Sequence, residues 1–313
     1  MILVCGIPSE PPIELLTDEL DIIGAKYVMW NQREFNKTDI SFFLTAEGRI
    51  IGTLQYGDHE YDLEKFTAIY SRLTDWNTLP EIENDSSAAL RKKCEHIHVL
   101  LQLFIDNSFA RVINRSEDMM SNNSKPYQMF LAKEAGLNIP DTLVTTNKEM
   151  ALDFYEEKQK DLIYKSISGT RSIVQKLKED DLPKLDKLFF CPTQFQEFVE
   201  GQNMRVHVIN ENTIATLIDS KATDYRYAAA GGGEPAKLNH TELKAKDKLR
   251  CIEFSRDLGL FFSGLDFKEN VDGMLTCFEA NPMPGYSYYE QSASQPIAYT
   301  LACELQKIDN AIT

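Results

Sequence analysis

Residues 264–281, with the sequence GLDFKENVDGMLTCFEAN, contain the pattern that decides the fold. An Asp-Gly pair at 272–273 lies between two apolar segments, which is the pattern of a two-residue hairpin turn. With the turn centred there, Asp266 lies directly opposite Glu279, with Cβ atoms roughly 4.5–5.5 Å apart. Asn281 follows Glu279 by two residues and therefore projects from the same face of the sheet.

Two facing carboxylates destabilise a hairpin unless something neutralises them. Two carboxylates and one amide form an oxygen-rich set, which suits a hard divalent cation such as Mg²⁺. We therefore expect Asp266, Glu279 and Asn281 to be metal ligands. The alternative, for this hairpin alone, is a solvated turn in which the pKa of one carboxyl is raised.

A magnesium site of this kind commonly shares phosphate oxygens, and phosphate requires cations nearby. Lys165 ends the apolar segment Leu162–Tyr164, where burying an ammonium without a partner is costly. Lys125 stands at the start of a predicted helix, and Arg205 and Arg226 precede the hairpin on a predicted strand and loop. Taken singly, Lys125 and Arg226 are better explained as surface charges, whereas the neighbours of Lys165 indicate burial.

Composition excludes several classes of protein. The chain has 313 residues, 43% hydrophobic and 26% charged, with a net charge of −15. This composition excludes a disordered chain. Nucleic-acid and anionic-membrane partners are not expected, because binding to either requires clustered cations on the protein. No segment approaches the ~18 apolar residues of a membrane span. The six cysteines form no C-x-x-C pair, which indicates buried free thiols and a cytoplasmic location.

Several catalytic motifs are missing from the sequence. It has no G-x-x-x-x-G-K-[ST], no G-x-G-x-x-G after the first strand and no G-x-S-x-G. It also lacks H-E-x-x-H and has only five histidines, which argues against a zinc enzyme.

The first part of the chain reads as an α/β domain. Ile2–Ile7 is a continuous apolar strand, 12–25 has helical spacing, and Lys26–Trp30 is a second strand, which together predict a parallel pair. A hairpin is expected around Glu47-Gly48. Residues 1–115 are predicted to form this domain.

The remainder is predicted to contain two subdomains, 116–199 and 200–313. We expect Gln194–Val199 and Met204–Ile209 to be strands that pair around Gly201. The stretch 224–239, which contains three consecutive glycines, has no periodicity and is predicted to be a mobile loop.

In this order, the residues resemble the ATP-grasp superfamily, specifically its RimK-like branch, which includes the graspetide (microviridin-type) peptide ligases. The likeness covers roughly residues 110–305. The segments that carry it are Asn123-Ser124-Lys125, GLNIPDTLVT at 136–145, Ile163-Tyr164-Lys165, Gln196-Glu197-Phe198-Val199, Asn203-Met204-Arg205, Tyr225-Arg226 with Gly231–Gly233, and the D…E-x-N set at 266, 279 and 281.

The resemblance implies an α/β (α+β) ATP-grasp fold. It implies an N-terminal pre-ATP-grasp domain, followed by central and C-terminal subdomains with ATP held between them. In such enzymes Mg²⁺ would be bound by Asp266, Glu279 and Asn281. Lys125 and Lys165 would neutralise the phosphate charge.

The resemblance also assigns residues to the nucleoside part of ATP. The backbone of Glu197, Phe198 and Val199 would bind adenine. Asn203, which stands where the family has an aspartate, would meet the ribose. The loop after Lys165, at 169–172, has one glycine where the family has several.

The activity implied is ligation through an acyl phosphate. A substrate carboxylate attacks the γ-phosphate of ATP, and an amine or hydroxyl then displaces phosphate. Arg205, Arg226 and Lys165 would be the catalytic residues, with the arginines holding the acyl phosphate and the oxyanion. Closure of the loop 224–239 would exclude water.

Three hypotheses about function remain open at this point. The first is a ligase that forms side-chain ester or amide links in a ribosomal precursor peptide. The second is a RimK-like ligase that adds a free amino acid to a protein or small-molecule carboxylate. The third is a nucleotide-binding scaffold without catalysis. The partner expected is therefore a precursor peptide or another carboxylate substrate, and the enzyme is expected to be a homo-oligomer, specifically a dimer.

Overall fold

A computed structural model describes residues 1–84, 87–167, 174–220 and 236–312. The chain forms two compact units. The first contains Met1–Met119, Gly285–Glu290 and Pro296–Thr313, and the second contains Met120–Pro284 and Gln291–Gln295. The end of the chain thus groups with the first unit, whereas the sequence-based division placed all of 200–313 in one subdomain. The boundaries at 115 and 199 stay a prediction.

Strands and helices are mixed along the whole described part of the chain. Up to residue 119 the elements are β1 (Ile2–Gly6), α1 (Pro11–Ile22), β2 (Tyr27–Asn31), β3 (Thr38–Leu44), β4 (Ile50–Tyr56), β5 (His59–Asp62), β6 (Ala68–Ser71), α2 (Pro80–Glu83), α3 (Ala88–Asn107), β7 (Arg111–Ile113) and α4 (Ser116–Met119). The rest are α5 (Lys125–Glu134), β8 (Thr142–Thr145), α6 (Lys148–Glu157), β9 (Leu162–Ser166), β10 (Gln175–Lys176), β11 (Thr193–Glu197), β12 (Gln202–Ile209), β13 (Asn212–Asp219), β14 (Lys237–Thr241), α7 (Ala245–Asp257), β15 (Phe262–Glu269), β16 (Leu275–Asn281), α8 (Ser287–Ala293) and α9 (Ile297–Ile312).

The first unit is built on a parallel sheet of order β2-β1-β6-β7. Every residue of β1 is buried, as expected for an apolar strand covered on both faces. The predicted strand–helix–strand start is confirmed, because β1 and β2 pair in parallel. The predicted hairpin around Glu47-Gly48 is also confirmed as antiparallel β3 and β4. Helix α9 packs against α1.

The second unit contains two antiparallel sheets, with the orders β10-β9-β11-β8 and β14-β13-β12-β15-β16. The predicted pairing of Gln194–Val199 with Met204–Ile209 is wrong. β11 pairs with β8 and β9, whereas β12 pairs with β13 and β15. Gly201, with φ +145°, lies between strands of two different sheets and does not close a hairpin.

The second sheet rests on α5 and α7, with a core that includes Met129, Phe254, Leu265 and Cys277. The predicted loop 224–239 ends earlier than expected, because β14 begins at Lys237 and pairs with β13. Residues 221–235 lie outside the described part of the chain.

Within the described ranges, no helix combines the length and the apolar character that crossing a membrane requires. All six cysteines are free thiols, as predicted. Cys191, however, is exposed and Cys303 partly exposed, so the expectation that all six are buried is wrong for these two.

Candidate active site

The hairpin of β15 and β16 brings the predicted carboxylates together. Asp266 pairs directly with Glu279, and Gly264 pairs with Asn281, so the predicted pairing is confirmed. The predicted two-residue turn is wrong: a five-residue connection, 270–274, joins the strands. It closes on Asn270, whose side-chain oxygen accepts hydrogen bonds from the backbone N–H groups of residues 272 and 274.

The pairing survives because a β-bulge compensates for the longer turn. Near the tip the register is Phe267 with Cys277, and beyond the bulge it is Asp266 with Glu279, which leaves Phe278 as the extra residue. The bulge reverses which side chains face the core, so Cys277 and Ala280 are both fully buried. Without it, Glu279 would share the core face of Cys277, where an unpaired carboxylate costs several kcal/mol.

Glu279 forms an ion pair with Lys125, the first residue of α5, with Oε2 and Nζ 2.7 Å apart. Both side chains are largely buried, at 16% and 14% exposed. Lys125 also donates a 3.3 Å hydrogen bond to the side chain of Asn122. The helix is held against the strand by Gln128, whose amide donates to the carbonyl of Ala280 at 2.8 Å and accepts from its N–H at 3.2 Å.

Asp266 is paired with Arg205 of β12, with Nη1 and Oδ1 2.7 Å apart. Arg205 is buried at 5% exposed, and the space for its guanidinium exists because residue 264 is glycine. A Cβ at Gly264 would lie 2.4 Å from Nη2 of Arg205. Gly264 lies two residues before Asp266 on the same face, so it shapes the site directly.

Lys165 lies on β9 and is buried, as its apolar neighbours predicted. Its charge acts on Glu279. Burial alone would raise the pKa of Glu279, but the positive charges of Lys125 and Lys165 outweigh burial and lower it to about 2. The carboxylate is therefore ionised at neutral pH, as a metal ligand must be.

The donor set fits a hard cation. The amide nitrogen of Asn281 lies 3.4 Å from Oδ2 of Asp266 and 3.5 Å from Oε1 of Glu279, so the three side chains converge. To supply its oxygen, the amide must turn over. In the part of the chain that the structure describes, no cluster of three His, Cys, Asp or Glu could hold a metal. The expected set has two carboxylates and an amide, which suits Mg²⁺ completed by water and phosphate.

The segment expected to bind adenine lies at the end of β11. The N–H of Glu197 donates to the carbonyl of Asp141 at 3.1 Å, and the N–H of Phe198 donates to that of Asp161 at 3.0 Å. These two N–H groups are therefore engaged within the protein, and Val199 follows them outside the strand.

Asn203 lies in another sheet, on β12, and shares the face of Arg205 two residues later. Asn203 pairs directly with Lys268 on β15, two positions from the pairing of Arg205 with Asp266. Arg226 and the loop 169–172 fall outside the described residues. The structure therefore groups Lys125, Lys165, Arg205 and the expected metal ligands, and leaves Arg226 unplaced.

Residues 120–305 match the family model of the RimK-like ATP-grasp domain. This chain belongs to the RimK-like ATP-grasp family. It is an ATP-dependent ligase with the ATP-grasp fold, as the resemblance implied. A curated relative, the α-aminoadipate–LysW ligase LysX of Sulfurisphaera tokodaii, is 24% identical over 67% of this chain and 77% of its own.

Two solved structures share the fold across nearly the whole chain. A RiPP-associated ATP-grasp ligase of Chryseobacterium gregarium, in complex with ADP and a leader and core peptide, has a TM-score of 0.83 at 22% identity, covering 98% of this chain and 96% of that one. The macrocyclase MdnC of Microcystis aeruginosa MRC, bound with precursor peptide MdnA, has a TM-score of 0.79 at 20% identity, covering 98% and 100%.

Sequence reasoning missed three residues that lie in or beside this candidate site. Gly264 leaves space for Arg205, and Gln128 forms hydrogen bonds with the backbone of Ala280. Neither role produces a recognisable motif in the sequence. Lys268 could have been found, because it lies two residues after Asp266 on the same strand and alternation places both on one face.

Proposed function

We propose that this RimK-like ligase joins side chains of a ribosomal precursor peptide through ester or amide bonds, using ATP and Mg²⁺. The observation that carries the proposal is the extent of the structural likeness. It covers 98% of the chain, including the first unit, in two proteins solved with peptides. The likeness to LysX covers 67% of this chain.

The residues of the site support an acyl-phosphate mechanism. Lys125 and Lys165 would neutralise the phosphates of ATP, while Glu197, Phe198, Val199 and Asn203 would hold its nucleoside. Mg²⁺, when bound, would supply charge stabilisation and orient the phosphate oxygens.

In the proposed reaction a peptide carboxylate attacks the γ-phosphate and releases ADP. Arg205 and Arg226 would then hold the acyl phosphate and the oxyanion formed by the incoming hydroxyl or amine. Phosphate leaves and the peptide has lost one water per link. Catalysis of this kind depends on positioning and charge, because phosphoryl transfer needs little covalent help from the protein.

A second candidate is addition of a free amino acid to a protein or small-molecule carboxylate. The sequence likeness to a ligase named for α-aminoadipate and LysW favours it. The same grouped cations and carboxylates would serve both reactions, because both pass through an acyl phosphate.

The deciding experiment is intact-mass analysis of candidate peptides incubated with enzyme, ATP and Mg²⁺. Short peptides rich in Thr, Lys and Glu or Asp, encoded beside this gene, are the first to test. Loss of one water per link, with one ADP released, supports the proposal. A gain of an amino-acid residue mass supports the second candidate. Nucleotide binding without ADP release from any substrate indicates a catalytically silent scaffold.

A further inference from the structure

The ring of Phe198 contacts two lysine ammoniums. Nζ of Lys176 lies 4.4 Å from the ring centroid and Nζ of Lys268 lies 4.8 Å from it. Both distances are within the range of cation–π attraction. Phe198 belongs to the segment 197–199 that the resemblance assigns to adenine.

The two lysines differ in their other partners. Lys176 is exposed and forms an ion pair with Asp161, with Nζ and Oδ1 2.6 Å apart. Lys268 is half-buried, and across the described ranges its ammonium takes part in neither a hydrogen bond nor an ion pair. Among the described residues, the ammonium of Lys268 therefore has the Phe198 ring as its partner, and its three N–H donors remain able to bind a ligand.

The placement of Lys268 identifies the part of the ligand it can reach. It lies on the same face of the sheet as Asp266, roughly 7 Å farther along β15. It pairs directly with Asn203, the residue expected to meet ribose. Asp266 is an expected ligand of the metal that would share phosphate oxygens, so it lies at the phosphate end of the proposed nucleotide site. Lys268 therefore lies toward the ribose and the base, beside Phe198.

We infer that Lys268 donates a hydrogen bond to the nucleoside part of the bound nucleotide and thereby contributes to nucleotide affinity. The ammonium has three donors and no acceptor, which suits the ring nitrogens of a purine and the ribose oxygens. The inference rests on the proposed function only in requiring that the site binds ATP. It does not depend on the identity of the acceptor substrate.

The test is calorimetric titration of the full chain with ADP and Mg²⁺, with tripolyphosphate measured by displacement of ADP. Lys268→Met should weaken ADP roughly tenfold, the effect of a lost charge-assisted hydrogen bond, and leave tripolyphosphate unchanged. Lys176→Met is the matched control, since it removes the other ammonium from the same ring, and it should change ADP affinity less than about twofold. Lys268→Arg keeps the charge and should restore most of the affinity.

Two results would overturn the inference. One is unchanged ADP affinity in Lys268→Met. The other is an equal loss for ADP and tripolyphosphate, which would indicate a phosphate contact. If Lys268→Met fails to fold, judged by circular dichroism, Lys268→Leu, which also lacks a donor, takes its place with the same expectation. Wild-type ADP binding without peptide modification would refute the proposed function and leave this inference standing.

Discussion

Lys125 and Glu279 form an ion pair with Nζ and Oε2 2.7 Å apart, so the proposed phosphate ligand and the proposed metal ligand neutralise each other. Arg205 and Asp266 form a second pair of the same kind. Removing one member of a buried pair leaves an uncompensated charge, so each pair holds its carboxylate in place. In the proposed function Asp266 and Glu279 would hold Mg²⁺, and Lys125 would neutralise phosphate charge.

Replacing Lys125 with Met should weaken nucleotide binding. The substitution removes a cation from the phosphate end of the site and keeps most of the side-chain volume. We expect ADP affinity, measured by calorimetry with Mg²⁺, to fall roughly tenfold. Lys133→Met, on the exposed face of the same helix, is the control and should bind as wild type. Equal ADP affinity in the two variants would show that Lys125 does not bind the nucleotide and has only a structural role.

Replacing Glu279 with Gln should abolish Mg²⁺-dependent ADP release while the fold stays intact. The amide keeps the size of the side chain but loses the charge that a hard cation requires. The readout is coupled-assay detection of ADP, together with a thermal melt. Glu269→Gln, on the same hairpin but outside the expected metal set, should keep wild-type turnover. Normal ADP release from Glu279→Gln would show that the metal assignment is wrong.

Replacing Gly264 with Ala should reduce turnover more than nucleotide affinity. The added Cβ would lie 2.4 Å from Nη2 of Arg205, so the guanidinium must shift relative to Asp266. Loss of one positioned donor in a site of this type costs about a hundredfold or more in kcat. Gly285→Ala is the control, because a Cβ there meets nothing within 4 Å. Single-turnover ADP release at wild-type rate in Gly264→Ala would contradict the positioning role.

The free energy of unfolding should decrease as the pH is lowered, because His207 is buried in its neutral form. This side chain is fully buried on β12, and burial lowers its pKa well below 6.5. The unfolded chain takes up a proton near its ordinary pKa and the folded chain does not, so the stabilising contribution is present above about pH 6.5 and is lost below it, by up to ~1.4 kcal/mol per pH unit.

The measurement is urea unfolding between about pH 7.5 and 5.5, where the pH dependence should be weaker in His207→Gln than in wild type. His59→Gln, at an exposed position on β5, should show the wild-type dependence. A pH dependence in His207→Gln that equals that of wild type would exclude this histidine as its source.

Much of the second unit follows from local sequence patterns. The helix predicted to start at Lys125 does so, and Lys165 is buried as its apolar neighbours predicted. The pairing of β11 with β12 was predicted wrongly. Adjacency in the chain favours a hairpin, but Gly201 carries the chain from one sheet to another, and only contacts with distant strands determine this.

The Asp266–Glu279 pair shows what a local sequence pattern can predict and what it cannot. The predicted pairing is correct although the predicted turn is wrong, since a longer connection and a bulge at Phe278 shift the register by one residue each and cancel. A turn pattern identifies that two strands meet, but the core decides which residue is left unpaired. Here the burial of Cys277 and Ala280 on one face leaves Glu279 on the other.

The sequence by itself indicated the family, through the resemblance of short motifs. It also determined the pairing of Asp266 with Glu279 and the candidate ligands Asp266, Glu279 and Asn281, because these depend on strand alternation and on residue chemistry within a short segment. Tertiary structure alone decided that Lys125 reaches Glu279 and that Gly264 makes room for Arg205. Those contacts join residues 154 and 59 positions apart in the chain, and only the packed arrangement of α5, β12, β15 and β16 brings them together.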